Sequence, residues 1–393
     1  MSRHDNEPAP NFQTAIIQGY DTRRPQDVLS LVISHRVVVP ALDSEHHVRV
    51  KVLAVALNPS DYKMVQFFPA RNNMAGCDFC GVVTEKGAEA VVDVGTRVCG
   101  AVFPYGRQDA TDDVRSGAFS QFATADSRLL LRVPETWSDL EGAALGGVGW
   151  CTVGLALSSL DALALSALPS KPADEKEPVL VYGAATATGT MACQLFELSG
   201  FAPVSVTSPQ SSALAIEYGA SGTASYLSPT CAESLERIAG TPIRHAFDCI
   251  TSAESVATCF AALARTGGRY ACVESLQDSW RTRRAVRVKE VMGYEAFGRH
   301  VQLGSEEADP TTYTRKANPA AFDICARWAV EMQKLLDASL VKHHLIREVY
   351  GLWEGIIDGV DELRAGGVRG EKLVVDMAVT QRALLTQPSG ITP

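Results

Sequence analysis

The feature that most constrains the fold is a strand-like segment that runs through a tight turn into a helix. Residues 179–182 are Val-Leu-Val-Tyr, a continuous apolar run, and residues 190–196 have the composition of a helix. The turn between them, residues 183–189, is Gly-Ala-Ala-Thr-Ala-Thr-Gly. In parallel α/β domains such a turn presents a helix N-terminus to a dinucleotide pyrophosphate. This turn keeps only two of the three glycines of the G-x-G-x-x-G pattern.

Length and composition indicate a globular protein with two domains. The chain has 393 residues, of which 46% are hydrophobic and 21% charged. No segment approaches the roughly 18 consecutive apolar residues of a membrane helix, and the N-terminus is polar, so we predict a cytoplasmic protein with no membrane partner. The ten cysteines are scattered, which is typical of reduced, buried thiols. A net charge of −9 argues against nucleic acid as a partner.

The pattern of predicted elements divides the chain. Short β segments punctuated by Gly and Pro between residues 13 and 135 predict a small irregular β barrel. Alternating strands and helices from residue 179 onward predict an α/β domain with a doubly wound parallel sheet. The predicted strands of that sheet are 179–183, 203–207, 223–226, 244–249 and 268–273. Residues 275–320 are irregular and charged, helices are predicted at 321–339 and 352–364, and a final strand, 372–376, is predicted to return to the first domain.

The end of the second strand bears on the cofactor. An acid there would accept the ribose hydroxyls of NAD, but residues 208–211 are Ser-Pro-Gln-Ser. A 2′-phosphate would meet no negative charge and several hydroxyl and amide donors, which favours NADPH, although no Arg or Lys stands in this segment. Ser208 is also a good N-cap for the following helix, and the two roles are compatible.

Several motifs resemble the medium-chain dehydrogenase/reductase superfamily over residues 15–376. They are Asn-Pro-Ser-Asp-x-Lys at 58–63, the Ala-Thr-Ala-Thr turn, Ser-Pro at 208–209, Asp-Cys-Ile-Thr at 248–251 and Gly-Glu-Lys-Leu-Val-Val at 370–375. Within the superfamily the chain is most similar to the zinc-independent quinone oxidoreductase branch, and there to the trans-acting enoyl reductases of fungal polyketide synthases, as in the lovastatin pathway.

The resemblance implies a fold and a domain division. It implies an irregular GroES-like β-barrel domain plus a Rossmann nucleotide-binding domain. The expected boundaries are 13–155 and 325–380 for the discontinuous GroES-like domain, 156–324 for the Rossmann domain, and 1–12 and 381–393 for flexible ends.

The resemblance also implies a reaction. An enzyme of this kind uses NADPH to reduce the α,β-unsaturated thioester of a polyketide intermediate. The substrate is carried on the acyl carrier domain of a partner synthase, with or without a peptide-synthetase module, and the subfamily is monomeric. Two alternatives remain open, a free-standing NADPH-dependent quinone or enal reductase and a non-catalytic interaction protein of the same fold.

The resemblance implies a set of contact residues. Those for the cofactor are Ser60, Asp61, Tyr62, Lys63, Thr152, Ala185, Thr186, Ala187, Thr188, Ser208, Pro209, Gln210, Ser211, Tyr226, Leu263, Ala264, Arg369 and Gly370. The candidates for the substrate are Thr152, Val153, Gly154, Tyr294 and Phe297. The Tyr226 ring either stacks on adenine or only packs, and Thr152 either contacts the reactants or caps a helix.

The metal ligands of zinc alcohol dehydrogenases are missing from the sequence. Asn58-Pro-Ser stands where their first Cys would be, and Gly76-Cys77-Asp78 stands in place of Gly-His-Glu. We therefore predict no metal and read Cys77-x-x-Cys80 as a strand segment rather than half of a site. Without a metal, Lys63 is the candidate to stabilise charge on the reacting carbonyl, the alternative being a contact with no chemical role.

One basic cluster stands out in this acidic chain. It comprises Arg281, Arg283, Arg284, Arg287 and Lys289. We predict either a docking patch for an acidic carrier domain or an ordinary solvated face.

Overall fold

The structure is a computed structural model that describes residues 11–19, 29–104, 116–303 and 314–378. Apart from residues 11 and 12, the predicted flexible ends 1–12 and 381–393 lie outside the described residues. Within this range the strands are β1 (Phe12–Gln18), β2 (Leu31–Val38), β3 (His47–Ala56), β4 (Asp78–Lys86), β5 (Arg97–Ala101), β6 (Phe122–Asp126), β7 (Leu131–Arg132), β8 (Pro178–Tyr182), β9 (Ala202–Thr207), β10 (Gly222–Ser225), β11 (His245–Asp248), β12 (Gly268–Cys272), β13 (Val286–Glu290), β14 (Val301–Gln302), β15 (Thr314–Arg315), β16 (Ile346–Glu348) and β17 (Lys372–Asp376).

The helices of the described residues alternate with these strands in the second half of the chain. They are α1 (Pro59–Phe67), α2 (Asp139–Leu145), α3 (Val148–Ser158), α4 (Ala187–Leu198), α5 (Ser212–Glu217), α6 (Cys231–Ala239), α7 (Ala253–Ala262), α8 (Pro319–Asp337) and α9 (Leu352–Arg364). α2 ends before α3 begins because Gly146 takes a positive φ of 50°.

The first domain is built around a curved, largely antiparallel sheet. Its order is β16-β17-β3-β4-β5-β7, with β6 also pairing with β3. The longest strand, β3, is buried or half-buried along its whole length and pairs with β4, β6 and β17. The irregular β domain predicted from the short strands is confirmed.

The second domain contains a six-stranded parallel sheet in the order β10-β9-β8-β11-β12-β13. Numbered within the domain this is 3-2-1-4-5-6, the order of a doubly wound dinucleotide-binding sheet. All five predicted strands are present, within a residue or two of their expected bounds. The sixth, β13, falls inside the stretch taken as irregular, and that prediction is wrong for residues 286–290.

The chain returns to the first domain at its last described strand, as predicted. β17 pairs antiparallel with β3 through Val374↔Ala56 and Val375↔Val55. The helices α3, α4 and α8 share one apolar core that includes the fully buried Trp150 and Trp328. That core joins the two domains, and the exact domain boundaries stay a prediction.

One stretch of the described residues, Asp139–Ser158, is apolar and long enough to cross a membrane by composition alone. It corresponds to α2 and α3, and 78% of its apolar window is buried inside the protein. Its apolarity is therefore accounted for by packing in the core.

Candidate active-site cleft

A cleft of about 980 Å³ lies between the two domains. One wall comes from α1, the start of α3 and the residues that precede β17. The other wall comes from the carboxyl ends of β8, β9, β11, β12 and β13. In open parallel sheets this edge, where the strand order reverses, is where nucleotides bind.

The turn after β8 is built as the sequence predicts. Gly183 has φ = 76°, and a Cβ on Gly189 would lie 2.2 Å from the carbonyl oxygen of Gly183, so both positions require glycine. Residues 185–188 line the cleft, and the first N–H groups of α4 have no partner within the helix. The turn therefore suits the pyrophosphate of a dinucleotide.

The two threonines of this turn have different surroundings. The hydroxyl of Thr186 donates to the carbonyl of Gly183 at 2.9 Å and accepts from the N–H of Gly189 at 3.0 Å. Thr186 is thus the N-cap of α4, and its hydroxyl proton is already used. The half-buried Thr188 lies on the cleft side of the first helical turn.

The segment after β9 is predicted both to cap a helix and to contact the cofactor. Ser208 accepts from the N–H of Ser211 at 3.3 Å, so it caps the short 3₁₀ helix Pro209–Ser211. Ser208 and Ser211 also line the cleft, whereas Pro209 and Gln210 are exposed beside it. The cap is confirmed, and contact with a cofactor stays a prediction.

Arg369 and Gly370 reach the same end of the cleft from the loop before β17. A Cβ on Gly370 would lie 3.7 Å from the side chain of Leu214 in α5, the helix that follows Ser208–Ser211. The exposed guanidinium of Arg369 thus comes from a distant part of the chain to an end of the cleft whose own loop carries no cation.

Tyr226 follows β10 on the same side of the sheet. Its side chain is 47% exposed and lines the cleft, and its N–H donates to the carbonyl of Thr207 at 3.2 Å. The ring is not packed in the core, which leaves its face accessible for stacking on a base.

Lys63 and Thr152 lie on the opposite wall. Lys63 projects from α1 and forms an ion pair with Glu274, the second residue after β12. Thr152 lies within α3 and donates to the carbonyl of Val148 at 2.7 Å, while Gly147 is the N-cap of that helix. Thr152 is therefore not a cap, and a Cβ on Gly293 would come within 2.8 Å of its hydroxyl.

An apolar wall closes the cleft beside Thr152. Phe103 stacks on Tyr294 with ring centroids 3.9 Å apart, and it lies 6.5 Å from the ring of Phe297. Met64, Val301 and Leu303 form a small buried cluster against which Phe103 and Tyr294 pack. Both predicted aromatic substrate residues, Tyr294 and Phe297, thus line the cleft.

A buried polar cluster of Asn58, Asp78 and Lys372 lies at the base of the cleft. The Lys372 ammonium contacts the Asn58 amide oxygen and lies 3.1 Å from Asp78 Oδ2. Asp78 Oδ1 accepts from the N–H groups of Gly147 and Val148 at 2.8 and 2.9 Å. Among the described residues no group of three or more His, Cys, Asp or Glu is placed to hold a metal ion.

Asp61 and Cys77 lie beneath this cluster. Asp61 Oδ2 accepts from the N–H of Asn58 at 2.7 Å, which closes the start of α1. Burial raises the pKa of the Asp61 carboxyl to about 7 and raises the pKa of the neighbouring Cys77 thiol. Asp61 thus supports α1 from below and does not line the cleft.

Some predicted residues are not brought to the cleft. Leu263 and Ala264 follow α7, which begins at the carboxyl edge of the sheet and carries the chain about 15 Å to the opposite edge. There the N–H of Ala264 bonds to the carbonyl of Ile243, before β11. Val153 is fully buried in the core, and Gly154 packs on Trp328.

Among the residues that sequence reasoning missed are two that follow β12 and line the cleft. Val273 and Glu274 follow β12 at the carboxyl edge of the sheet. Their position directly after a predicted strand is the signal that would have identified them, because cofactor contacts in this architecture collect at strand ends.

Two residues of the basic cluster, Arg283 and Lys289, are bound to other parts of the protein. Arg283 donates to the carbonyls of Leu263 at 2.8 Å and Ala264 at 2.5 Å, at the C-terminal end of α7. Lys289 forms a 2.6 Å ion pair with Asp161. Arg281, Arg284 and Arg287 remain exposed along the edge strand β13 and the segment before it.

Comparison with known proteins decides the family. Residues 44–135 match the alcohol dehydrogenase GroES-like domain. The chain is 49% identical over 374 residues to the trans-enoyl reductase calK of Penicillium decumbens, covering 93% of this chain and 98% of that one. It is also 49% identical over 372 residues to the trans-enoyl reductase sthE of Phaeosphaeria nodorum, covering 94% and 99%. The chain belongs to the trans-enoyl reductase family.

The solved structures agree with this family at the level of the fold. The quinone oxidoreductase of Pseudomonas syringae matches with a TM-score of 0.66 at 19% identity, covering 93% of this chain and 99% of that one. The predicted medium-chain dehydrogenase/reductase fold, with GroES-like and Rossmann domains, is confirmed. As a trans-enoyl reductase the protein is an oxidoreductase acting on a carbon–carbon double bond. Enzymes of this family generally use NAD(P)H.

Proposed function

We propose that this trans-enoyl reductase uses NADPH to reduce the α,β-unsaturated thioester of a polyketide intermediate carried on the acyl carrier domain of a partner synthase. The observation that carries the proposal is the meeting of Lys63, Thr152 and the residue 183–188 turn in one interdomain cleft. A conjugated thioester needs orientation, exclusion of water and stabilisation of its oxygen, and the cleft offers groups for each.

The preference for NADPH follows from charge at the adenosine end. The loop after β9 carries no acid, and the guanidinium of Arg369 lines the same end of the cleft. A 2′-phosphate gains from a nearby arginine, whereas the free ribose hydroxyls of NADH need an acceptor that this loop lacks. The serines at 208 and 211, the Thr188 hydroxyl and the ring of Tyr226 complete the proposed cofactor contacts.

NADPH, when bound in this cleft, would supply the hydride for the β-carbon of the thioester, and a proton taken from water would complete the reduction at the α-carbon. The Lys63 ammonium stabilises the negative charge that develops on the thioester oxygen. The Thr152 hydroxyl, whose proton goes to the Val148 carbonyl, holds a reactant through its remaining lone pairs. The apolar wall of Tyr294, Phe297 and Met64 excludes water around the acyl chain.

The exposed arginines suit an acidic carrier domain as partner. Arg281, Arg284 and Arg287 lie on the Rossmann domain next to an edge strand of an otherwise acidic protein. Their charge also disfavours pairing of β13 with a second copy, which supports a monomer. We place the protein in the cytoplasm with its synthase.

The function is tested with recombinant protein, NADPH and two acceptors, crotonyl-pantetheine and a crotonyl-loaded acyl carrier domain. We expect consumption of NADPH and formation of the saturated thioester. The KM for the carrier-bound acceptor should be lower than the KM for crotonyl-pantetheine. Faster reduction of quinones than of either thioester would point to a free-standing quinone or enal reductase. Failure of NADPH to raise the thermal unfolding temperature would favour a non-catalytic interaction protein.

A further inference from the structure

Lys63 and Glu274 form an ion pair that spans the cleft. Lys63 is carried by α1 of the first domain, and Glu274 follows β12 of the Rossmann domain, 211 residues later. Their side chains are 29% and 35% exposed, so the pair is partly shielded from water. Both residues line the cleft, as do Thr152 and Gly293.

The segment that carries Glu274 is held at several points. The N–H of Glu274 donates to the Thr251 hydroxyl at 3.3 Å, and the N–H of Leu276 donates to Glu290 Oε1 at 2.8 Å. Thr251 is itself fixed, because its N–H donates at 3.0 Å to the buried carboxylate of Asp248. Glu274 thus extends from a backbone that has little freedom to move.

The helix that carries Lys63 is held as firmly. The side chain of Asp61 accepts from the N–H of Asn58, and the Asn58 amide is bound to Asp78 and Lys372 at the base of the cleft. The ammonium of Lys63 also lies 5.9 Å from the centroid of the Tyr62 ring. The four-carbon stem of the lysine therefore remains the mobile part of this arrangement.

We propose that Glu274 is a positioning residue for the enoyl reduction, holding the Lys63 ammonium at the point where the thioester oxygen is received. This inference rests on the proposed function. A lysine with a fixed carboxylate partner on the far wall has one preferred location in an otherwise open cleft. Preorganisation of a charge where negative charge develops is the largest contribution that such a site makes to rate.

Four variants test the proposal. Glu274→Gln keeps the size of the side chain and removes its charge, and Glu274→Asp keeps the charge on a shorter stem. Lys63→Met removes the ammonium, and the double variant combines Lys63→Met with Glu274→Gln. The matched control is Glu85→Gln, which removes the carboxylate of another ion pair, with Arg49, on the outer face of the first domain.

The expected kinetic pattern is specific to positioning. With crotonyl-pantetheine, Lys63→Met lowers kcat about 100-fold. Glu274→Gln lowers kcat about tenfold with little change in the Kd of NADPH or in Tm, and Glu274→Asp regains part of the loss. Since Glu274 acts through Lys63, the double variant is no slower than Lys63→Met, and Glu85→Gln matches the wild type.

A second measurement does not depend on activity. The rate at which a succinimidyl ester labels Lys63 is followed by peptide mass spectrometry in the wild type and in Glu274→Gln. We expect labelling of Lys63 to rise severalfold in the variant, while labelling of Lys86, which pairs with Asp93, stays the same. Unchanged labelling of Lys63 would show that the pair does not form in solution and would overturn the proposal.

The kinetic outcomes separate this proposal from the function on which it rests. If Glu274→Gln slows the Lys63→Met background as much as it slows the wild type, Glu274 acts independently and the positioning role is wrong. A kcat of Glu274→Gln equal to that of the wild type would also overturn it. If the wild type and Glu85→Gln reduce no thioester although Lys63 labelling changes as expected, the enoyl reductase function fails while the ion pair stands.

Discussion

The ammonium group of Lys372 lies 3.1 Å from a carboxylate oxygen of Asp78, with both side chains less than a tenth exposed. The second oxygen of Asp78 accepts from the first N–H groups of α3, and the same lysine contacts Asn58 at the start of α1. One buried pair thus joins the last strand of the sheet to the two helices that carry Lys63 and Thr152.

Replacing Lys372 by Met is expected to lower the free energy of unfolding by about 3–5 kcal/mol, because the Asp78 charge is left buried without its cation. Urea unfolding of the variant and the wild type measures the difference. The double variant with Asp78→Asn should lose less stability than the sum of the losses in the two single variants, since the residues share one interaction. Strict additivity would mean that the pair contributes no coupling.

The two threonines of the nucleotide turn should respond differently to substitution by Val. Thr186→Val removes the cap of α4 and is expected to cost about 1 kcal/mol of stability. Thr188→Val leaves the cap intact and should weaken NADPH binding, measured by fluorescence titration, with no change in Tm. If both substitutions affect only stability, Thr188 makes no contact with the cofactor.

Arg369→Gln should weaken binding of NADPH about 10- to 100-fold, since a charge-assisted hydrogen bond contributes about 1.5–3 kcal/mol. The Kd of NADH should hardly change, because NADH has no 2′-phosphate for the guanidinium to bind. Arg132→Gln, which breaks a surface pair with Asp337, serves as the control. Equal losses for the two nucleotides would place Arg369 away from the 2′-phosphate.

His344 should make stability depend on pH below neutrality. Burial lowers its pKa from 6.5 to about 4. Between pH 4 and pH 6.5 the unfolded chain therefore binds a proton at this ring that the folded protein does not bind. Stability contributed by the neutral ring is present above pH 6.5 and is lost as the pH falls, by about 2 kcal/mol at pH 5. His344 Nδ1 lies 3.0 Å from the Thr190 hydroxyl, a contact that the amide of Asn can replace. In His344→Asn the loss of unfolding free energy between pH 7 and pH 5 should be smaller than in the wild type by that amount. The same difference in both proteins would exclude His344 as the cause.

The docking surface is tested with Arg281, Arg284 and Arg287 changed together to Glu. Arg283 is left out because it binds the last carbonyls of α7 and its loss would disturb the fold. We expect KM for a carrier-bound enoyl thioester to rise about tenfold or more while KM for crotonyl-pantetheine is unchanged. A variant with Arg132→Glu, Arg237→Glu and Arg327→Glu, which also replaces three exposed arginines, controls for net charge. Similar increases with both substrates would exclude a docking role.

Elements with a clear local pattern are predictable from the sequence. The apolar run at 179–182 and the glycines at 183 and 189 define the first strand and its turn, and the structure has both where they are expected. The edge strand β13 was missed because Arg287 and Lys289 alternate with its apolar residues and hide the short strand among charges. An edge strand needs little apolar burial, so its signal is weak.

The site is predictable only where a residue belongs to a local motif. The turn at 185–188 and the serines at 208 and 211 follow from the chain around them. The pairs Lys63–Glu274 and Asp78–Lys372 join segments more than 200 residues apart, and no local pattern predicts such contacts. Leu263 and Ala264 were misplaced for the same reason, because only the path of α7 shows that they face the opposite edge.

The return of β17 to the first sheet has a consequence for how the chain is made. Residues 372–376 supply the partner of the last residues of β3, Ala54–Ala56, yet they leave the ribosome only after the whole Rossmann domain has emerged. The nucleotide-binding unit can complete its sheet during synthesis, whereas in the first domain the end of the longest strand, Ala54–Ala56, waits without its partner on one side. A nascent chain stalled before residue 372 would therefore expose that edge, and chaperone contacts during synthesis should concentrate on it.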